Sequence, residues 1–277
     1  MAERRAETTR ARSVLKPLLV RAAGARRYRQ ALAAAKAWDI RTGRWTEHEI
    51  EALPELVGRG EVALDVGANY GLYTYHLSKI VGPTGHVYAF EPMPDVLDAH
   101  RTVTRLLRLR NATLVPNGVA EREGALTFQS PVQESGAIVG GLSRMVRDDA
   151  RHDPSLRETT AAVTTLDAFV ARAGVRDVRL VKCDIEGAEL YAFQGATRLL
   201  AEQRPAVLCE IGAGMLRERY GVNVAELADL FAEHGYRSYR WMPEARRLRP
   251  IDLTIGDHDG NYFFVHADDF RARGLFT

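Results

Sequence analysis

The pattern of apolar and polar positions is clearest between residues 62 and 92. Val62, Ala63, Leu64 and Val66 make an apolar run interrupted only by Asp65, as in a strand buried on both faces that ends at a polar site. Gly67 and Gly71 bracket a tight turn, Leu72, Tyr75 and Lys79 recur at helical spacing, and Pro83 with Gly85 breaks the pattern. Residues 87–90 are again apolar and end in Glu91. A strand, a glycine turn, a helix and a strand closed by an acid predict one half of a doubly wound nucleotide-binding sheet, with function at the strand ends.

The flanking segments extend this α/β reading. Tyr28, Leu32, Ala35 and Trp38 fall on one helical face among arginines, which predicts an amphipathic helix over 24–39. Its alanine-rich face suits packing on the domain or on a twin subunit better than insertion into an anionic membrane. Thr46 and Glu49 have capping-box spacing for a short helix that stops near Pro54. Asp95 starts a helix with Val96, Val103, Leu106 and Leu107 inward and Asn111 as its stop; strands follow at 112–116 and 125–128. Residues 130–160, with Pro131, Gly136, Gly140, Gly141 and Pro154, show little period and much charge, which predicts a long mobile loop and a candidate substrate lid. Thr165 caps a further helix, 179–183 is a strand, a helix runs on from Ala188, and 206–209 is a strand ending in Glu210. Asn223 caps a helix with Leu227, Leu230 and Phe231 inward. Aromatic-rich strands at 236–242 and 262–265 can close the sheet as an antiparallel pair.

The 277 residues suffice for one large α/β domain with an appendage. The net charge of +2 argues against nucleic acid as a partner. Of 38 basic residues only Lys16, Lys36, Lys79 and Lys182 are lysines, an arginine bias that reads as genome composition and makes Lys182 stand out. Cys183 and Cys209 sit in apolar runs without metal spacing, as buried reduced thiols of a cytoplasmic protein would. No apolar run reaches membrane-spanning length, and the amino terminus lacks the pattern of a cleaved leader.

Two constellations carry chemistry. In the first, Gly67 and Gly71 leave room for a cofactor against the backbone, Glu91 can accept both ribose hydroxyls, and Asp65 and Asn69 offer polar contacts. The turn lacks the middle glycine that lets a pyrophosphate lie on the backbone, which counts against NAD and FAD and leaves S-adenosylmethionine. Asn117 and Ala120, after the third strand, stand where adenine would lie. The second is the run V-K-C-D-I-E-G. Lys182 and Asp184 face the same way about 7 Å apart on an extended strand, Glu186 continues that side if the strand has not turned, and Glu210 ends the adjacent strand. Converging carboxylates need a proton, a cation or a lysine between them. Asp184 and Glu210 can therefore hold Mg²⁺, or Asp184 or Glu186 can act as a general base; a charge network that merely supports the loop ends uses the same residues. His76, His258 and His266 form no metal motif.

Taken together, D-V-G-A-N-Y-G (65–71), A-F-E-P (89–92), T-L-D-A-F (165–169), V-K-C-D-I-E-G-A-E (181–189) and L-C-E-I (208–211) resemble the FkbM-type family of S-adenosylmethionine-dependent methyltransferases. The K-x-D-x-E-G run is the specific part; the glycine turn is shared by many methyltransferases. The resemblance implies a Rossmann-like class I methyltransferase sheet of seven strands, the last antiparallel, with helices on both faces. It implies methyl transfer to a hydroxyl of a small-molecule, sugar, polyketide or glycolipid acceptor. Carried over, Asp65, Gly67, Asn69 and Gly71 line the methionine and ribose side, Glu91 holds the ribose, Asn117 to Ala120 flank adenine, and Asp184 and Lys182 face the acceptor. The expected organisation is a basic helical arm and cap over 1–58, through which a homodimer can form, and a catalytic domain over 59–277. A non-catalytic Rossmann-like binding module and a dinucleotide-dependent dehydrogenase are the rival readings.

Overall fold

Local sequence signals explain most of the elements in the computed structural model, which describes residues 25–131, 143–146, 156–256, 258–269 and 271–276. A helix α1 (Ala25–Arg41), a 3₁₀ turn (His48–Ala52) and a one-turn helix α2 (Leu53–Leu56) lead into β1 (Val62–Val66). There follow α3 (Leu72–Val81), β2 (His86–Phe90), α4 (Pro94–Leu106), β3 (Ala112–Val115), β4 (Gly118–Val119), β5 (Gly124–Pro131), β6 (Arg144–Met145) and β7 (Leu156–Thr164). The rest comprises α5 (Leu166–Ala173), β8 (Val178–Cys183), α6 (Glu189–Gln194), α7 (Thr197–Glu202), β9 (Ala206–Gly212), α8 (Ala213–Tyr220), α9 (Val224–Glu233), β10 (Tyr236–Met242), β11 (Arg247–Pro250) and β12 (Asp259–His266).

The main sheet has the order β11-β10-β12-β9-β8-β1-β2-β3. Pairs from β9 through β3 are parallel, whereas β12 enters antiparallel between β9 and β10. This is the expected Rossmann-like methyltransferase sheet with one correction: it has eight strands, because a turn after Met242 folds β11 back on β10 as an extra antiparallel edge. Adjacent residues bury on opposite faces. Val181 and Phe264 join one core cluster, Leu180 and Phe263 the other, so helices must cover both sides.

Other expectations are corrected. The helix near the amino terminus forms, but it buries Ala33, Ala37 and Ile40 and packs on α4; Trp38, assigned to the buried face, is 60% exposed. The capping box at Thr46 and Glu49 does not form: Glu47 precedes the 3₁₀ turn without a side-chain cap, and Pro54 opens α2 rather than stopping a helix, as its fixed φ favours. Leu106, expected inward, is 47% exposed. The expected lid loop is partly strand. Residues 156–160 belong to β7, which pairs along β5, and β6 pairs with β5 in turn, forming a second sheet β4-β7-β5-β6. Residues 132–142 and 147–155 of that stretch lie outside the described residues. The caps at Thr165 and Asn223 form as expected, the latter as a full capping box with Glu226. Among the described residues no helix is long and apolar enough to cross a membrane.

Candidate active site

Everything of interest lies at the carboxyl ends of β1, β2, β8 and β9. Gly67 has φ +79°, and a Cβ there would stand 1.8 Å from the carbonyl oxygen of Asp184, so only glycine allows the ends of β1 and β8 to meet. Gly67 and Ala68 donate to the carbonyl of Phe90, and Asp184 donates from its backbone to Val66 (3.0 Å). Three strand ends are thereby joined around one turn.

Beside that turn a cleft of about 630 Å³, open to solvent, is lined in part by Gly67, Asn69, Glu91, Asn117, Asp184 and Glu186. Glu91 is 5% exposed and accepts from the backbone N–H groups of Asn69 (3.1 Å) and Met93 (2.9 Å) through different carboxylate oxygens. Burial, outweighing those two hydrogen bonds, pushes its pKa up to about 7. Asn69 adopts a left-handed φ of 48°; its carbonyl accepts from His100 Nδ1 (2.9 Å), and its buried Oδ1 has no partner. Burial holds His100 down at about 4, so the imidazole is a neutral clamp on the turn. No periodicity marked His100 as anything other than a helix residue.

Three expected cofactor residues do not line the cleft. Asp65 is buried behind it, accepting from Thr74 Oγ1 (2.5 Å), with burial the main reason its pKa rises to about 6. Gly71 sits against the His100 ring, and Ala120 is fully buried while Gly118 and Val119 face the cleft.

The second constellation assembles at the carboxyl ends of β8 and β9. Lys182 and Leu208 are register partners on β8 and β9, which brings Asp184 level with Glu210. Glu210 lies beside Asp184; burial first and the Asp184 charge second push its pKa up to about 8, so near neutrality the two carboxylates share a proton. Lys182 is 1% exposed. Burial alone would discharge it, but Asp184, Glu210 and Glu47 outweigh that and raise its pKa above the ordinary value. Glu186 departs from its expected place. The strand stops at Cys183, the chain turns, and Glu186 (φ 60°) pairs with Arg219 at 3.5 Å instead of continuing the Lys182 side.

Several participants carry no local sequence signal. Lys182 Nζ donates to Asn261 Oδ1 (3.1 Å) and stands 4.9 Å from the Tyr73 ring centre. Asn261 Nδ2 (3.3 Å) and Tyr73 OH (2.6 Å) both donate to Glu47 Oε2. Glu47 thus joins the site from the amino-terminal segment, through contacts distant in sequence. Glu189, though inside the D-I-E-G-A-E run, escaped notice: buried, it accepts from the N–H groups of Ile185 and Gly187 (both 3.1 Å) and braces the loop that carries Asp184. Cys183 and Cys209 are buried free thiols. Among the described residues no three His, Cys, Asp or Glu side chains are gathered to hold a metal ion.

The chain is 29% identical over 183 residues to the hexuronic acid methyltransferase AglP of Haloferax volcanii, covering 64% of this chain and 67% of that protein. A protein-L-isoaspartate O-methyltransferase of Ignicoccus hospitalis is 33% identical over 57 residues, 21% of this chain and 27% of that one. A solved methyltransferase FkbM from Methylobacillus flagellatus aligns with a TM-score of 0.47 and 19% identity over 74% of this chain; the match spans only 43% of its own length. The model of the methyltransferase FkbM domain matches residues 65–238, more than half of the sequence and both constellations, and the chain belongs to that family of S-adenosylmethionine-dependent methyltransferases.

Proposed function

We propose that the protein is an O-methyltransferase acting on a hydroxyl of a sugar or related small molecule. The carrying observation is Asp184, in the cleft wall, level with Glu210 on the neighbouring strand and beside the buried Lys182. The hexuronic acid methyltransferase among its relatives supports a sugar acceptor.

The cleft suits S-adenosylmethionine. Each Glu91 oxygen already holds one backbone N–H and keeps lone pairs for a ribose hydroxyl, while Gly67 and the unpartnered Asn69 Oδ1 lie alongside. Asn117, Gly118 and Val119 close the side where adenine would lie. When bound, this cofactor supplies an activated methyl group. The chain's task is then to align an acceptor oxygen with it and to exclude water. Asp184 accepts the acceptor hydroxyl's proton at its carboxylate; Glu210, sharing a proton with Asp184, keeps that carboxylate oriented. Lys182, fixed by Asn261 and Tyr73, offsets the local negative charge of both acids.

Two results follow. Cofactor affinity should depend on pH with a midpoint near 7. The ionised Glu91 is the better acceptor of ribose hydroxyls, so affinity for S-adenosylhomocysteine is full above pH 7 and falls by up to about tenfold per pH unit below it. In Glu91→Gln this dependence disappears and binding is weaker at pH 8 by about 10- to 100-fold. Calorimetric titration from about pH 5.5 to about pH 8.5, which brackets that midpoint, reads both. A flat native profile would remove Glu91 from the ribose site. Second, Glu210→Gln keeps an N–H donor for Asp184 and should retain turnover within about tenfold, whereas Glu210→Ala should lose about 100-fold or more.

The overall reading is tested by methyl transfer from labelled S-adenosylmethionine to a panel of glycosides, hexuronic acid glycosides included, with Mg²⁺ or with chelator, and by NMR location of the new methyl ether. Turnover abolished by chelator and by Glu210→Gln alike would make the carboxylate pair a Mg²⁺ site. Cofactor binding without a product from any hydroxyl compound would favour a binding module, and tight NADH binding a dehydrogenase.

A further inference from the structure

We infer that the surface formed by the carboxyl-terminal ends of α1 and α4 docks on an anionic lipid bilayer. The two helices pack side by side and run the same way: Arg29 of α1 lies 3.7 Å from Asp95 at the start of α4, and Arg41 at the end of α1 shares a groove with Leu106 and Arg108 at the end of α4. Lys79, from the last turn of α3, lines the same groove. A second groove adjoins it through Arg108 and adds Arg101, Arg105 and Arg110. No Asp or Glu lines either one. In a chain whose net charge is only +2, that is a strong segregation of positive charge.

Arg101 pairs with Asp98 at 3.0 Å, but Arg41, Lys79, Arg105, Arg108 and Arg110 are exposed and have no acidic partner among the described residues. The apolar contribution separates lipid from other polyanions. Three large hydrophobic side chains are exposed among the described residues: Leu106 stands in the groove wall, and Trp38 lies one turn before the groove residue Arg41 on α1. An indole and a leucine rising among arginines suit the boundary between headgroups and acyl chains, where basic residues bind the anionic headgroups. A duplex nucleic acid would use the charges and leave Leu106 without a role.

The surface lies at the opposite end of the strands from the cleft, because α4 starts just after Glu91 at the carboxyl end of β2 and returns to the amino end of β3. Docking would leave the cleft facing solution, so the inference stands independently of the acceptor's identity.

The experiment is sedimentation of the full chain with vesicles of phosphatidylcholine alone and with about 30% phosphatidylglycerol, at roughly 50 and 500 mM NaCl. Partitioning onto the anionic vesicles is expected to exceed that onto neutral ones by about 100-fold at low salt and to fall about tenfold or more at high salt. Tryptophan emission should shift to the blue on anionic vesicles, and Trp38→Phe should remove that shift. Arg105→Glu with Arg110→Glu should lower partitioning about tenfold or more, with S-adenosylhomocysteine affinity retained as proof of folding. Equal binding to both vesicle types, or anionic binding that survives the double reversal, would overturn the assignment. So would a preference for duplex RNA over the vesicles with no change in Trp38 emission.

Discussion

Replacing Asp184 with Asn lowers methyl transfer by about 10³-fold or more and leaves S-adenosylhomocysteine affinity within about threefold of the native value. The substitution keeps the shape of the side chain, and the joint between β1 and β8 runs through the backbone of Asp184, which donates to Val66, so the fold is unaffected. What is lost is the carboxylate that receives the hydroxyl proton. Because the Asp184 charge is one cause of the raised Glu210 pKa, the same variant lets Glu210 titrate at lower pH, which a ¹³C-labelled glutamate spectrum can follow. Turnover and cofactor affinity falling together would instead assign Asp184 a structural role.

Gly67→Ala should be the most damaging single substitution in the cleft. It forces a side chain into a left-handed conformation, about 1–3 kcal/mol, and drives a Cβ to 1.8 Å from a backbone oxygen that cannot turn aside, a further 1–3 kcal/mol or more. A total of about 4 kcal/mol is a large part of the stability of an ordinary domain and corresponds to a fall in Tm of roughly 10 °C for a chain of this size. Cofactor binding should be lost as well, since relief of the clash moves Asp184 and opens the cleft. Gly71→Ala makes an informative control. Its φ of +87° carries the same conformational strain, but its Cβ would meet the side chain of His100 at 3.0 Å rather than backbone, and Gly71 does not line the cleft. Thermal melts with and without S-adenosylhomocysteine should therefore separate the two, the second variant keeping its ligand-induced rise in Tm. If Gly67→Ala melts within about 2 °C of the native protein, the joint between β1 and β8 is not the constraint described above.

Elements written in short-range patterns were legible in the sequence: the apolar runs of β1, β2, β8 and β9, the capped starts of α5 and α9, and the acids at the strand ends. Parallel topology then follows from the alternation of strand and helix, and with it the edge where Gly67, Glu91, Asp184 and Glu210 collect. The buried face of α1 differs from the one its larger side chains, Trp38 among them, predict. Close packing on α4 instead selected small residues, Ala33 and Ala37, with Ile40. The strand β7 was hidden in a charged, weakly periodic stretch because its stability comes from pairing along β5, a contact made across the intervening residues. Glu186 would continue the Lys182 side only on an unturned strand; β8 ends at Cys183, the chain turns, and Glu186 pairs with Arg219 while still lining the cleft.

The sequence by itself determined the class of sheet, the position of the site and the residue types at its centre, because strand periodicity and glycine turns are local. Only the tertiary structure decided the protonation and the supports of that centre. The raised pKa of Glu210, the charge on Lys182 and the contribution of Glu47 through Tyr73 and Asn261 depend on burial and on distances between segments far apart in the chain. Electrostatic energies in a desolvated site vary steeply with separation, and no one-dimensional pattern encodes that separation.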